Sequence, residues 1–234
     1  MPSIRPLSLC RHAILALAVA LTTLAANAES HYRPHISVGA RAGMSMSRMS
    51  FSPSVPQSWQ NGMVMGITAR YAEEKIFGII GELNFEQRGW KETFEDNPGL
   101  EYNRRLTYIS LPVMTHIYFG PRRFKFFFNA GPQIGYMISS GINSNFDYNN
   151  PAAEGIASTR RVNQMHMDIK NKFDYGITAG LGMEWWATPR NSFVVEGRFY
   201  YGLGNIFPSS KADEFSASRS MTLQITAAYN FRLK

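Results

Sequence analysis

Residues 35–47 read HISVGARAGMSMS, and apolar and polar side chains alternate along them with a period of two. Ile36 and Val38 lie on one face of this pattern, and Ser37 and Arg41 lie on the other. Successive side chains of a β-strand point to opposite sides of its sheet. The stretch therefore predicts a strand with one apolar face and one polar face.

The same alternation recurs along the rest of the chain, with turn-forming residues between the segments. Seven further segments lie near residues 63–71, 77–86, 109–119, 124–138, 174–185, 193–202 and 221–233. After residue 35 the sequence has no long helical pattern and no apolar run of the roughly 20 residues that a membrane-spanning helix needs. Eight such segments predict an all-β chain.

The connections between the segments alternate between short and long. The short ones are residues 72–75, 120–123 and 188–191, and the long ones are roughly residues 48–61, 89–105, 139–172 and 204–218. Transmembrane barrels combine an even number of strands with tight periplasmic turns and longer outer loops. The pattern predicts an eight-stranded antiparallel up-and-down transmembrane β-barrel, with both chain ends on the periplasmic side.

The first 28 residues have the pattern of a secretory signal peptide. Arg5 and Arg11 precede an apolar stretch at residues 13–24, and Ala28 ends a small-residue cleavage site. The alternative is a permanent helical anchor, but the stretch is shorter than a spanning helix. We expect cleavage after Ala28, which leaves residues 29–234 as the barrel domain.

Charge and cysteine content limit the possible functions. The lone cysteine, Cys10, lies in the predicted signal, so the remaining chain has no thiol for a disulfide or a thiolate metal site. Removing Arg5 and Arg11 from the 24 basic residues leaves 22 against 17 acidic ones, a net charge of +5. This mild excess is scattered, so we expect no nucleic-acid partner.

The polar face of the segments decides between lipid and water as the surroundings. It contains Arg41, Arg70, Glu82, Glu86, Arg88, Lys125, Asp174, Glu184, Glu196, Arg198 and Arg232. A secreted, lipocalin-like barrel is the competing class, but it would expose the apolar face to water. A lipid-facing charge costs about 2–4 kcal/mol at the bilayer midplane, whereas the interior accepts charge.

Eight strands leave an interior only just wide enough for side chains, so no wide pore is expected. We expect a network of paired charges there, formed by Arg41, Arg70, Glu82, Glu184, Glu196 and Arg198.

Aromatic residues flank the short connections on the apolar face. They are Tyr71, Phe77, Phe119, Phe124, Trp185 and Phe193, with Tyr32 and Phe231 near the chain ends. Such rings gather at the boundary between acyl chains and headgroups, although aromatic residues also favour strands in general. The positions indicate an aromatic girdle.

Several segments together resemble the PorT-like outer-membrane β-barrel family, within the wider group of small OmpA-like barrels. The resemblance is carried by VGARAGMSMS (38–47), GELNFEQRGW (81–90), YISLPVMTHIYF (108–119), FFFNAGPQIGYMIS (126–139), GITAGLGMEWW (176–186), EGRFYYGLGNIF (196–207) and AAYNFRL (227–233). It covers essentially the whole predicted barrel. It implies a location in the bacterial outer membrane and a non-enzymatic role, and it identifies no ligand.

Enzymatic activity is the main alternative, because some small barrels act on lipids. His116 lies on the polar face, but Ser110 is six residues away on the same strand, about 20 Å, which is too far for a direct bond. Glu82, Glu184 and Glu196 are expected to pair with arginines rather than to serve as acid and base. We therefore expect no catalytic residues, no cofactor and no metal site, and a narrow solute channel stays as a third hypothesis.

The outer loops are the remaining candidate for function. The third one contains Phe146, Tyr148, Arg160 and Arg161, a mixture of aromatic and basic residues that is common at binding surfaces. A solvated loop without a partner explains the same residues. The leading hypothesis is a structural or interaction barrel whose partners are outer-membrane lipid and lipopolysaccharide, the barrel-assembly machinery during insertion, and an envelope protein.

Overall fold

The computed structural model describes residues 34–72, 76–94, 96–156, 160–210 and 213–233. The predicted signal peptide, with Cys10, lies outside these residues, as do Tyr32 and most of the first short connection. Among the described residues, no helix has the length and apolar character needed to cross a membrane.

Nine strands make up nearly all of the regular structure in the described residues. They are β1 (His35–Ser52), β2 (Gln57–Ser58), β3 (Gln60–Ala72), β4 (Phe77–Glu92), β5 (Tyr102–Phe119), β6 (Phe124–Ser144), β7 (Phe173–Trp186), β8 (Asn191–Gly202) and β9 (Ala217–Arg232). One turn of 3-10 helix at Pro151–Glu154 and a four-residue helix, α1 (Asn163–His166), lie between β6 and β7. The all-β expectation is confirmed.

The eight long strands pair in a closed ring. Each is antiparallel to the next long strand along the chain, from β1 and β3 through to β8 and β9. β1 then pairs with β9 over sixteen positions, from Ser37 opposite Arg232 to Ser52 opposite Ala217. The sequence did not predict β2, which adds two residues to the edge of β4 where Gln57 faces Glu92.

Several strands extend further into the outer connections than predicted. β1 continues to Ser52, β4 to Glu92 and β6 to Ser144, while β5 already begins at Tyr102. The expected outer connections were too long because polar residues on the outward face of these strand ends resemble a loop sequence. The three short connections lie at the opposite end of the ring.

The two faces of the strands have opposite chemistry. Outward-facing Ile67 and Leu181 are 61% and 67% exposed, whereas inward-facing Arg41 and Glu82 are 4% and 7% exposed. The ring is thus apolar outside and charged inside at mid-height, which is the reverse of a water-soluble protein.

Gly89 marks a close approach between β4 and β5. Its φ is +147°, and a Cβ at this position would lie 1.9 Å from the carbonyl oxygen of Arg104. Only glycine combines this backbone conformation with such a contact. The close approach lies directly before Trp90, whose side chain is fully buried.

Candidate functional site

The centre of the ring contains a network of two arginines and two glutamates. Arg198 on β8 donates to both oxygens of Glu82 on β4, at 2.7 and 2.9 Å. The same guanidinium donates to both oxygens of Glu196, at 3.1 and 2.7 Å. Arg41 on β1 donates to Glu82 and to Thr226, the latter at 2.9 Å. Each buried charge therefore has an opposite partner, as burial requires.

A second ion pair lies closer to the short connections. Arg70 donates to the two oxygens of Glu184 at 3.1 and 2.6 Å, and the Ser192 hydroxyl donates to Glu184 at 2.6 Å. His116 is buried beside this pair, with its Nε2 3.4 Å from Arg70 and its Nδ1 2.7 Å from Asn129 Oδ1. The structure therefore brings together all six arginines and glutamates expected inside, in two adjacent groups.

A third layer lies toward the long connections and was not part of the expected network. Arg88 donates to Asp174 at 2.6 Å and also contacts Glu86. The Arg88 guanidinium lies 4.1 Å from the ring centre of Tyr200 and 4.8 Å from that of Tyr108. The alternation placed Arg88, Glu86 and Asp174 on the inner face, but their pairing depends on strand register, which the alternation does not specify.

The three layers fill the middle of the interior. A cavity of about 30 Å³, lined in part by Arg41, Arg70, His116 and Asn129, has room for roughly one or two water molecules. Among the described side chains, no three His, Cys, Asp or Glu residues converge as metal ligands would. Ser110 Oγ is buried and makes no hydrogen bond to any described group, so it does not pair with His116.

An apolar cap covers the interior at the end with the long connections, and sequence reasoning missed it. Its buried members are Met49, Phe51, Val55, Trp90, Phe94, Tyr102, Leu106, Tyr108, Met137, Ile156, Met165, Ile169, Ile206, Phe207 and Phe215. Rings of Phe51, Phe207 and Phe215 lie 5.1–6.2 Å apart. Strand ends and all four long connections therefore pack into a single core.

The signal for the cap is a change of polarity on the inner face. On β1 the inward positions change from Arg41 and Ser45 to Met49 and Phe51, and on β4 they change from Arg88 to Trp90. A wall that leaves the bilayer is surrounded by water, so its apolar side chains turn inward, as in a soluble protein.

The aromatic and basic residues of the third outer connection contact the cap. Phe146 packs edge-on against Phe94 at 5.4 Å, and Tyr148 packs against Tyr102 at 5.9 Å. Arg160 donates to Glu92 at 3.2 Å and to the Thr93 carbonyl oxygen at 2.7 Å. Arg161 pairs with Glu214 at 2.8 Å.

Of these four, Arg161 is the exposed one, while Phe146, Tyr148 and Arg160 are half-buried. The structure thus gives three of the four a packing role in the cap and leaves one at the surface.

The outer wall of the ring is a continuous apolar belt. Of the aromatic residues predicted for the girdle, five are exposed on this belt near the short connections: Tyr71, Phe119, Trp185, Phe193 and Phe231. Tyr229, which was not predicted for the girdle, is exposed beside Phe193. Phe77 and Phe124 are half-buried on the same wall. A monomeric soluble protein rarely exposes a patch of this extent.

Comparisons with known proteins agree with this architecture. A profile of the family described as outer membrane protein beta-barrel domain matches residues 27–208, which is more than half of the chain. No curated protein matches the sequence.

Among solved structures, OprG of Pseudomonas aeruginosa is similar with a TM-score of 0.51 at 11% identity, over 84% of this chain and 95% of that one. The neisserial surface protein NspA is 13% identical with a TM-score of 0.42, over 84% of this chain and 98% of that one. At 11% identity, the likeness to OprG shows a common fold and nothing about function. The chain belongs to the outer membrane protein β-barrel domain family and is a protein of the bacterial outer membrane.

Proposed function

We propose that the chain is a structural or interaction protein that spans the outer membrane as an eight-stranded barrel, has no wide pore, and presents its outer loops for binding. The observation that carries this proposal is the double closure of the interior. Paired charges fill the mid-height, and the apolar cap covers the outer end. A barrel built in this way is closed at mid-height and at the end with the long connections, so at that end its accessible chemistry lies on the outside of the cap.

The belt of exposed apolar side chains supports insertion into lipid. Ile67, Leu181 and Ile225 are each more than 60% exposed, and charged side chains face the interior instead. The competing class, a secreted soluble barrel, would leave the whole belt in water. The distribution favours acyl chains as the surroundings.

The two ends of the barrel are assigned by the lengths of the connections. Short turns belong to the periplasmic side and long loops to the outside. In this orientation the outer wall of the barrel contacts lipid and lipopolysaccharide. The barrel-assembly machinery is the partner during insertion, since β9 ends with Tyr229 and Phe231 on the outer wall. Export by a cleavable signal peptide at residues 1–28 and membership of the PorT-like group belong to the same proposal.

The surface offered to an envelope partner is the solvated side of the cap. Asp147, Asn149, Arg161 and His166 of the third connection are exposed there. The apolar core beneath them fixes their positions, and polar loop residues on a rigid scaffold are a common form of binding site. We propose that this chain has no enzymatic activity and binds no cofactor or metal.

Site-specific photocrosslinking in intact cells tests the proposed function. A photoreactive amino acid at Asn149 or His166 is expected to give a discrete crosslinked product with an envelope component. The same group at Leu181, on the lipid-facing wall, is the control and should give no such product. Absence of any product from several exposed cap positions would contradict the interaction role.

Conductance measurements separate the proposal from the channel hypothesis. Purified protein in planar bilayers is expected to give no step-like currents, because ion pairs and the cap block the axis. Regular steps would favour a narrow channel instead.

A further inference from the structure

The end of the ring that carries the short connections contains a basic cavity of about 600 Å³. It is lined by His35, Arg122, Arg123, Lys125, Trp186, Ala187, Thr188, Pro189 and Arg232. His35, Lys125, Trp186 and Arg232 lie on the inner faces of their strands, so the cavity is part of the interior rather than of the lipid-facing wall. It lies at the opposite end from the cap and has no part in the function proposed above.

Backbone hydrogen bonds hold the walls of this cavity in place. The Trp186 amide donates to the Arg123 carbonyl oxygen at 2.9 Å, and the Arg232 amide donates to the Arg190 carbonyl oxygen at 2.7 Å. The Arg232 guanidinium lies 4.2 Å from the ring centre of Trp186. The cavity is therefore built on ordered strand ends and turns.

Basic residues predominate among the described residues that line this cavity. Arg122, Arg123, Lys125 and Arg232 line it, and no described Asp or Glu does. Glu184 lies deeper, where it accepts hydrogen bonds from Arg70 and Ser192. The described lining of this cavity is therefore basic, whereas the mid-height layers contain both acidic and basic groups.

The lining also offers donors and few acceptors. Guanidinium and ammonium groups only donate hydrogen bonds, and an indole N–H only donates. A ligand rich in acceptor oxygens would therefore be stabilised by the guanidinium and ammonium groups of Arg122, Arg123 and Lys125.

We propose that this cavity, at the end of the ring that carries the short connections, binds the phosphate group of a small anionic molecule. Phosphate presents several acceptor oxygens and up to two negative charges, and guanidinium groups bind it through paired hydrogen bonds. The Trp186 ring and Pro189 provide an apolar wall for the body of the ligand. The volume lies within the range of small-molecule sites.

Two sources can supply such a group, a water-soluble phosphate ester or the headgroup of a phospholipid. The inward position of the lining favours the soluble ester. An experiment with both types of ligand distinguishes them.

Calorimetric titration of the refolded full chain tests the proposal. The protein is held in octyl glucoside, which carries no phosphate, and is titrated with glycerol 3-phosphate, with glycerol as the neutral control. Saturable binding of glycerol 3-phosphate is expected, and glycerol should give no signal. The double variant R122Q/R123Q, altered at two exposed turn residues, should weaken binding by about tenfold or more.

Arg105→Gln provides the matched control, because it removes an exposed positive charge at the far end of β5. Its affinity should equal that of the parent chain. Folding of each variant is checked by its gel mobility before and after boiling, and Lys125→Gln replaces the double variant if that variant does not fold.

Competition identifies the source of the phosphate. If short-chain phosphatidylglycerol reduces the affinity for glycerol 3-phosphate, lipid headgroups reach the cavity. If it has no effect, the ligand is a soluble ester. The proposal is overturned if glycerol 3-phosphate and the lipid both fail to bind saturably, or if a folded R122Q/R123Q binds as tightly as the parent chain.

Discussion

Arg198 and Glu82 are 116 residues apart in the chain, yet they form a two-pronged ion pair at 2.7 and 2.9 Å across the interior. Their strands, β8 and β4, are not neighbours in the ring. The pair therefore links opposite walls directly, in addition to the hydrogen bonds between adjacent strands.

Removing the negative partner should be strongly destabilising. In Glu82→Gln the guanidiniums of Arg41 and Arg198 lose a shared carboxylate in a buried place, and such a loss costs about 3–5 kcal/mol. Urea unfolding in lipid vesicles, followed by tryptophan fluorescence, measures the change. Glu101→Gln is the control, because its ion pair with Lys91 is exposed and should contribute less than about 1 kcal/mol. Equal effects would contradict a structural role for the network.

The cap should contribute stability of its own. Phe207 is fully buried between Phe51 and Phe215, so Phe207→Ala should lower the free energy of unfolding by about 3–5 kcal/mol. It should also make the outer connections more sensitive to added protease. Leu203→Ala, at a 40% exposed position, is expected to change neither property appreciably. Unchanged protease resistance in Phe207→Ala would show that the cap is not a cooperative core.

A charged side chain at mid-height on the outer wall should lower the free energy of unfolding. Leu181→Arg is expected to lower stability in a bilayer by about 2–4 kcal/mol, whereas Leu233→Arg, at the end of the wall near the short connections, should lower it by about 0–1 kcal/mol. Reversible unfolding in vesicles measures both values. Equal tolerance of arginine at the two positions would argue against a lipid-facing wall.

The close approach at Gly89 should tolerate no side chain. Gly89→Ala combines a positive φ with a contact to the Arg104 carbonyl oxygen, and strain of this type costs about 1–3 kcal/mol. Gly141→Ala is the matched control, because a Cβ there meets no atom within 4 Å. The control should alter stability by less than about 1 kcal/mol. Equal thermal unfolding temperatures for the two variants would show that a side chain at position 89 causes no strain.

Period-two alternation was sufficient to predict the strands and their two faces. It placed Glu82 and Arg198 inside and Leu181 outside, because a strand leaves a side chain only two directions to point. It could not predict which charges pair, since Arg70 reaches Glu184 across 114 residues through the register of several strands. The choice of partners depends on how all the strands pair around the closed ring, and the alternation within one strand does not show that.

The cap was missed for a different reason. Met49 and Trp90 share the inner face with charged residues, so a search for one apolar and one polar face assigns them to the polar side. The polarity of a face depends on the solvent outside it, and that solvent changes from lipid to water along the strand. A change of phase in the apolar pattern, as between Met46 and Met49, is the signal to look for.

The pairing of β1 with β9 has a consequence for biogenesis. This pairing joins the first strand to the last one, so residues 217–232 must be synthesised before the ring can close. Until then β1 and β8 each present an unpaired edge, which is prone to aggregate and cannot be satisfied by acyl chains. Closure of the barrel is therefore a late step of assembly, because it requires the complete set of strands.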